Sequence, residues 1–426
     1  MPKLLCWCTF RGPTLITQIV ATPAFIAVVL LIPLLLTQAL AAPTTKAGDC
    51  NSPAPQPITS LGLPGHPFGI VTTKDGCWLF VSITDSPRGH GIAVLWRTGG
   101  AVRLQRMIPL KASPHGMVMT HDERLLVVAA RDYVAFLDMT RMIEAGGDPV
   151  LGYLAYGHNP GIFYVSVTPD DKLLVVSNEN RGTITVIDLV KARSTGFKGD
   201  AIIAHILAGE GPKALAFSAD GRWLYATVQI ASPEWNWPIE CKLEGQDLPT
   251  LEPQTPAGAV VAIDVAKVRR EPLNAIVAKV PSGCSPVRLA LSPDGATIWV
   301  TARNGNAVLA FDATELLHDG KNARLAAAPV GIAPVGVIVT SDGARVIVAN
   351  SNQFGPAAHT AQTLSVIDAL NVRSGKANVV GTVSAASFPR ELAQSPDGQT
   401  LFVANYSSNT LEVIDLARLP RILSQR

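Results

Sequence analysis

The chain has 426 residues, with 35 Lys and Arg against 33 Asp and Glu, a formal net charge of +2. Only 16% of the residues are charged and 48% are apolar, which excludes a disordered polyelectrolyte and is ample for a large core. So near a balance there is no general pull toward nucleic acid or an anionic membrane surface, and no nucleic-acid partner is expected.

Residues 1–48 contain no Asp or Glu. Lys3 and Arg11 precede an apolar run over 24–36 that ends in Ala39-Leu40-Ala41. A basic n-region, an h-region and an A-x-A site read as a signal peptide over 1–41, cleaved near Ala41. That sends the chain to the periplasm or out of the cell with no stable membrane insertion. Retention as an uncleaved anchor is the alternative. Cleavage removes Lys3 and Arg11 and leaves 33 basic against 33 acidic side chains. Residues 42–56, rich in Pro, Thr and Ser, read as a flexible lead-in.

From 57 to 418 the chain repeats itself. An Asp set in a turn recurs at Asp75, Asp122, Asp170, Asp220, Asp294, Asp342 and Asp397, at spacings of 47, 48, 50, 74, 48 and 55 residues. Pro stands eight residues earlier in all but the third copy, which has Ile162. A hydrophobic strand follows each turn, as in LLVVAA at 125–130, TIWVTA at 297–302 and TLFVAN at 400–405. A third strand then closes most copies on Asp: Asp138, Asp188, Asp264, Asp312, Asp368 and Asp415. One such unit cannot bury both of its faces. Seven at a period near 48 predict an all-β, seven-bladed β-propeller with four-stranded blades. The last copy has only three strands of its own. Segment 57–63 resembles Asn378–Ala385, so the N-terminal segment is expected to add the outer strand and close the ring. Residues 419–426 are left as a tail, and the propeller is expected to be a monomer.

The repeats LFVANYSSNTLEVID (401–415) and LLVVSNENRGTITVID (173–188) resemble the YVTN-type β-propeller repeat. FPRELAQSPDGQTLFVAN (388–405) resembles the last blade of lactonase-like seven-bladed propellers, whose relatives include sugar-lactone hydrolases, muconate-cyclising enzymes and binding proteins. Family geometry implies that the innermost strand of each blade runs down from a top face. The residues after each Pro then ring the upper mouth of a central channel, and the Asp turns lie on the bottom.

In the seven copies the first residue after Pro is Phe68, His115, Phe163, Lys213, Val287, Val335 and Arg390, and the next is Gly69, Gly116, Tyr164, Ala214, Arg288, Gly336 and Glu391. Aliphatic, glycine and aromatic members suit packing between blades. His115, Lys213, Arg288, Arg390 and Glu391 do not, because burying them unpaired is costly. Such a mouth suits an anionic or carboxylate-bearing ligand, which Arg binds bidentately. Alternatively Glu391 pairs with Arg288 or Arg390 and the others face solvent.

The spacing of 74 holds an insertion, 231–257, in the top connection of the fourth blade, carrying Trp235 and Trp237. It reads as a lid or partner-binding loop over the mouth; the alternative is a loop packing its tryptophans on the blade. Cys50, Cys77, Cys241 and Cys284 remain after export and allow three pairings. By the family geometry, Cys241 and Cys284 share the top of adjacent blades, and Cys50 and Cys77 share the bottom at the closing seam. Cys50–Cys77 and Cys241–Cys284 are therefore the expected disulfides. No C-x-x-C or His spacing accompanies them, so no metal is expected, and without a Gly-rich phosphate loop no cofactor is expected either. Asn178, Asn304, Asn350 and Asn405 end second strands and are expected to cap the adjoining turns.

Two functions remain. One is an exported binding or scaffold protein that recognises an anionic small molecule or an extracytoplasmic protein at its top face. The other is a lactonase-type hydrolase that opens a sugar-acid or related lactone. There His115 or Glu391 would activate water and Arg390 would steady the oxyanion. The chain departs from lactonase-like members in having Glu391 after Pro389-Arg390, where many read P-R-H. It also has Met117 where the P-H-x-H of such members has its second imidazole.

Overall fold

The computed structural model describes residues 50–54, 56–87, 89–155, 159–197, 199–242, 252–354 and 361–419. The signal-peptide reading, most of the lead-in, residues 243–251 of the insertion and all of the tail but Leu419 lie outside them. Seven four-stranded antiparallel sheets form the blades. Their innermost strands are Pro67–Thr72, Met117–Met119, Ile162–Val167, Glu210–Phe217, Pro286–Leu291, Pro334–Val339 and Pro389–Gln394. Each packs beside the next, and the last beside the first. The ring is closed by the N-terminal segment. Ile58–Gly62 is the outermost strand of the seventh blade and pairs antiparallel with Thr410–Asp415, Ile58 opposite Ile414 and Gly62 opposite Thr410.

Second strands such as Leu125–Ala130 and Leu173–Asn178 are buried along their whole length. Both faces of each meet a neighbouring blade, so their sequences are continuous hydrophobic runs rather than alternating ones.

The recurring Asp turn is built by a hydroxyl two residues before the Asp. Thr73 Oγ1 donates to Asp75 Oδ1, which also accepts from the Cys77 amide, while the Thr73 hydroxyl oxygen accepts from the Trp78 amide. The same three contacts recur in the other six copies, from Thr120 to Ser395. The next residue has positive φ in every copy; Glu123 and Asp171, both at 54°, stand where the other five have Gly. These two carboxylates reach the preceding blade, Glu123 accepting from the Lys74 amide and Asp171 from the His121 and Asp122 amides. The Asp that ends the third strand caps the segment after it. Asp138, Asp188, Asp312 and Asp415 accept from the first turn of a short helix, and Asp264 and Asp368 from amides two residues on.

The asparagines behave differently from expectation. Asn178, Asn350 and Asn405 donate sideways to hydroxyls of the third strand, at Thr183 and Thr185, Thr363 and Ser365, and Thr410. Asn304 does not end its second strand, which stops at Ala302; it lies exposed in the following turn and donates to the Lys242 carbonyl. A buried amide facing a row of Thr and Ser finds partners across the sheet before it finds them in the turn.

Both cysteine pairs are bonded, Cys50–Cys77 with Cα atoms 4.9 Å apart and Cys241–Cys284 with 5.5 Å. The first ties the lead-in to the Asp75 turn of the first blade; the second ties the insertion to the start of the fifth blade. Among the described residues no helix is long and apolar enough to cross a membrane. Peptide mapping without reductant should recover these two linkages and no others. Replacing either pair by Ser should lower stability by about 2–4 kcal/mol, measured by denaturant unfolding. A Cys77–Cys284 or Cys50–Cys241 peptide would contradict the closing topology.

Candidate functional site

The inner strands begin irregularly. The pairing of first and second strands shifts register just after the Pro position, between Pro389 and Glu391, Pro286 and Arg288, and Ile162 and Tyr164, for example. Such a bulge leaves an amide without its ladder partner, and a second-strand hydroxyl takes it. Gly69, Tyr164, Ala214 and Arg288 donate from their amides to Ser82, Ser177, Thr227 and Thr301. Ser82 and Thr301 in turn donate to the His115 and Val335 carbonyls of the next blade. The bulge also breaks strict alternation, so neighbours in sequence such as Arg390 and Glu391, or Phe163 and Tyr164, both reach the central cluster.

That cluster has two layers. Tyr164, Arg288 and Glu391, from the third, fifth and seventh blades, meet across the ring. Arg288 donates to Glu391 Oε2 from Nε at 3.2 Å and Nη2 at 3.0 Å, and the Tyr164 hydroxyl donates to the same oxygen at 2.8 Å. The guanidinium lies 4.0 Å from the Tyr164 ring centroid. Small residues at the equivalent position of other blades make the room. A Cβ on Gly116 would stand 2.3 Å from the Tyr164 ring, and one on Gly336 2.8 Å from the Arg390 carbonyl. Burial pulls Arg288 down to about 10, with Glu391 opposing, so it stays a cation at neutral pH.

The second layer is arranged around Phe163. Lys213 Nζ lies 3.6 Å from its centroid, the His115 ring stacks at 5.1 Å and Phe68 meets it edge-on at 5.2 Å. Lys213, 4% exposed, is paired with Glu179. Burial lowers it to about 8, with Glu179 opposing. Partly buried His115 contacts the Ile162 carbonyl through Nδ1 at 3.2 Å. Burial and then the Arg390 charge pull it down to about 4, which leaves it neutral above that pH.

Arg390 is different. It is 7% exposed, its guanidinium stands 3.8 Å from the Phe68 centroid, and the rings of Phe388, Tyr406 and Phe163 lie at 5.4, 5.6 and 5.8 Å. Burial lowers it to about 10, with the nearby Glu391 charge opposing, so it is charged. Glu391, its chain neighbour, is engaged by Arg288. Among the described residues Arg390 forms no ion pair, and its buried Nε has no hydrogen-bond partner.

Five of the expected site residues thus come together: His115, Lys213, Arg288, Arg390 and Glu391. Trp235 and Trp237 do not join them; they pack on the apolar seam between the third and fourth blades. Glu179, Arg303 and Tyr406 were not singled out from sequence, yet each follows a second strand directly and bears on the cluster. Aligning the copies on the end of that strand would have found them. A cavity of about 820 Å³ lies off the axis, between the third and fourth blades, and Glu179 lines it too. The axial cluster and the open space therefore sit in different places and share only Glu179, which is paired with Lys213. Among the described residues no group of three or more His, Cys, Asp or Glu is placed to hold a metal ion.

No family model matches the chain, and no curated protein matches it. Among solved structures it is similar to Kuenenia stuttgartiensis hydrazine synthase, with a TM-score of 0.60 and 20% identity over 84% of this chain and 97% of that one. It is also similar to a chain of the mitotic checkpoint complex, with a TM-score of 0.60 and 15% identity over 88% and 98%. Likeness at such identities shows the fold alone, a seven-bladed β-propeller.

Proposed function

We propose that the chain is an exported β-propeller binding protein that holds an anionic small molecule at the top of its central channel, with Arg390 as the anchor. The observation that carries this reading is the unpaired charge of Arg390. A buried cation without an anion costs several kcal/mol, and aromatic rings recover only part of that. A carboxylate or phosphate would complete the site, taking the free guanidinium edge in a charge-assisted bond. Lys213 adds a second positive group nearby. Export is supported by the A-x-A segment ending at Ala41 and by the two disulfides.

Lactone hydrolysis is the less well supported reading. Glu391 already accepts three hydrogen bonds, and an imidazole held near 4 is a weak base at neutral pH.

Calorimetry with acetate, citrate and phosphate tests the proposal. At least one should bind at low salt and weaken as salt rises, because charge attraction is screened beyond about 10 Å at 0.1 M. Arg390→Ala should weaken binding by about 10–100-fold, the worth of a charge-assisted hydrogen bond. Arg390→Lys should recover only part of it, having lost the planar fork. No heat with any of the three anions would sink the proposal. Turnover of a lactone, abolished by His115→Ala, would replace it with the hydrolase.

The pH profile supplies a separate check. His115 is neutral above about 4, so affinity for acetate, whose own charge does not change there, should stay flat through pH 6–7, where an ordinary histidine would gain its charge. Affinity should then fall as pH rises past about 8 and Lys213 loses its proton. Binding that strengthens on acidification from pH 7 to 6 would mean that His115 titrates normally and that the cluster does not hold it neutral.

A further inference from the structure

The fourth blade spends more chain than any other, and that chain builds the wall of the off-axis cavity. Its insertion is held in several ways. Ile239–Cys241 pairs with Thr255–Pro256 in a short ribbon. Cys241 is bonded to Cys284, and Asn304 donates to the Lys242 carbonyl. Trp235 has the Trp237 ring 5.2 Å away, tilted rather than stacked, and the Lys279 ammonium 4.9 Å from its centroid. A loop tied at so many points is pre-organised, and its tryptophan faces a space of about 820 Å³, in the range of small-ligand sites. The opposite wall turns on Gly182, Gly209 and Gly211, all at positive φ, which brings bare backbone to the surface.

The charges lining the space point to the ligand's character. Glu179 is neutralised by Lys213 behind it. Glu210 and Glu234 line the cavity and form no ion pair among the described residues; Arg181 and Lys279 line it as well. With Glu179 held by Lys213, the other charged lining residues, Glu210, Glu234, Arg181 and Lys279, carry a formal charge of zero. The amides of Asn180 and Gln229 add donors and acceptors, and Leu207 and Leu273 stand 67% and 80% exposed on its border. A neutral ligand with many hydroxyls and apolar C–H faces matches that mixture. A ring's C–H face lies on an aromatic side chain, and carboxylates accept from its hydroxyls.

We propose that this cavity is a second binding site, independent of the channel, that takes a neutral oligosaccharide of two or three units on Trp235, with Glu210 and Glu234 as acceptors.

The full chain with its disulfides formed is titrated with maltotriose, cellotriose and triacetylchitotriose, following heat and tryptophan fluorescence. At least one should bind saturably, with a dissociation constant below about 1 mM. Binding should be indifferent to salt, because the ligand is uncharged. Trp235→Ala should weaken it at least tenfold. Trp235→Phe keeps a ring and should retain most of the heat while losing the fluorescence change. Glu210→Gln and Glu234→Gln should each weaken binding several-fold, and Arg390→Ala should leave it unchanged. Three results would overturn the proposal: no saturable signal with any of the three sugars up to about 10 mM, sugar binding that survives Trp235→Ala intact, or salt-sensitive binding of trilysine in place of the sugars. Loss of sugar binding on Arg390→Ala would also count against a separate site, whereas failure of the anion titration would leave this one standing.

Discussion

A four-stranded blade has two apolar faces and cannot bury either alone, so the fold depends on the ring being closed. The closing contact is Ile58–Gly62 on Thr410–Asp415, which joins the beginning of the propeller to its end. Chain termini are where a repeat protein frays, because a terminal repeat lacks a neighbour. Here the seventh blade is made from both ends of the chain, so opening it means breaking a whole strand from a sheet. The Cys50–Cys77 bond reinforces the same seam. With the ring fixed, seven inner strands face one axis, and whatever side chains they carry must be accommodated there.

Most of those side chains settle the matter by packing or by pairing. Tyr164, Arg288 and Glu391 pair across the ring, and glycine at equivalent positions of other blades leaves space for them. Lys213 is held by Glu179. Arg390 is surrounded by rings and forms no ion pair among the described residues; Glu391 and Glu179 act on it only through space. In a low-dielectric interior this asymmetry is the most energetic feature of the axis, since aromatic faces are poor substitutes for a carboxylate. The same geometry explains why the cluster draws consecutive residues from one strand. A plain strand would send Arg390 and Glu391 to opposite faces, and the bulge at Pro389 brings both into it.

The seven blades and the strand that closes them were legible in the sequence, because each rests on period and turn residues; the disulfide pairing needed in addition the two faces that the family resemblance implies. The Asp of each turn was visible, but its partner was overlooked. A Ser or Thr stands two residues before it in every copy, and that hydroxyl does as much of the bonding. The convergence of His115, Lys213, Arg288, Arg390 and Glu391 came from aligning positions after the Pro. Which of them pair could not be read that way, because pairing across a ring depends on distances between blades that no repeat encodes. The insertion was read as a lid or, alternatively, as a loop on the blade side. Its tryptophans lie on the seam of the third and fourth blades, where they have apolar partners such as Val228 and Ala259.

The central claim is that Arg390 is a charge awaiting a partner while Arg288 is a charge that has one. Unfolding of the ligand-free protein, with each arginine replaced by methionine, separates them. Arg288→Met leaves the half-buried Glu391 without its ion-pair partner, held only by the Tyr164 hydroxyl, and should cost about 3 kcal/mol. Arg390→Met removes a buried cation that has no ion-pair partner among the described residues and fills the space with an apolar chain, so stability should hold or rise. Equal losses in the two variants would mean that Arg390 is a structural ion, and the account of an anion site at the axis would fail.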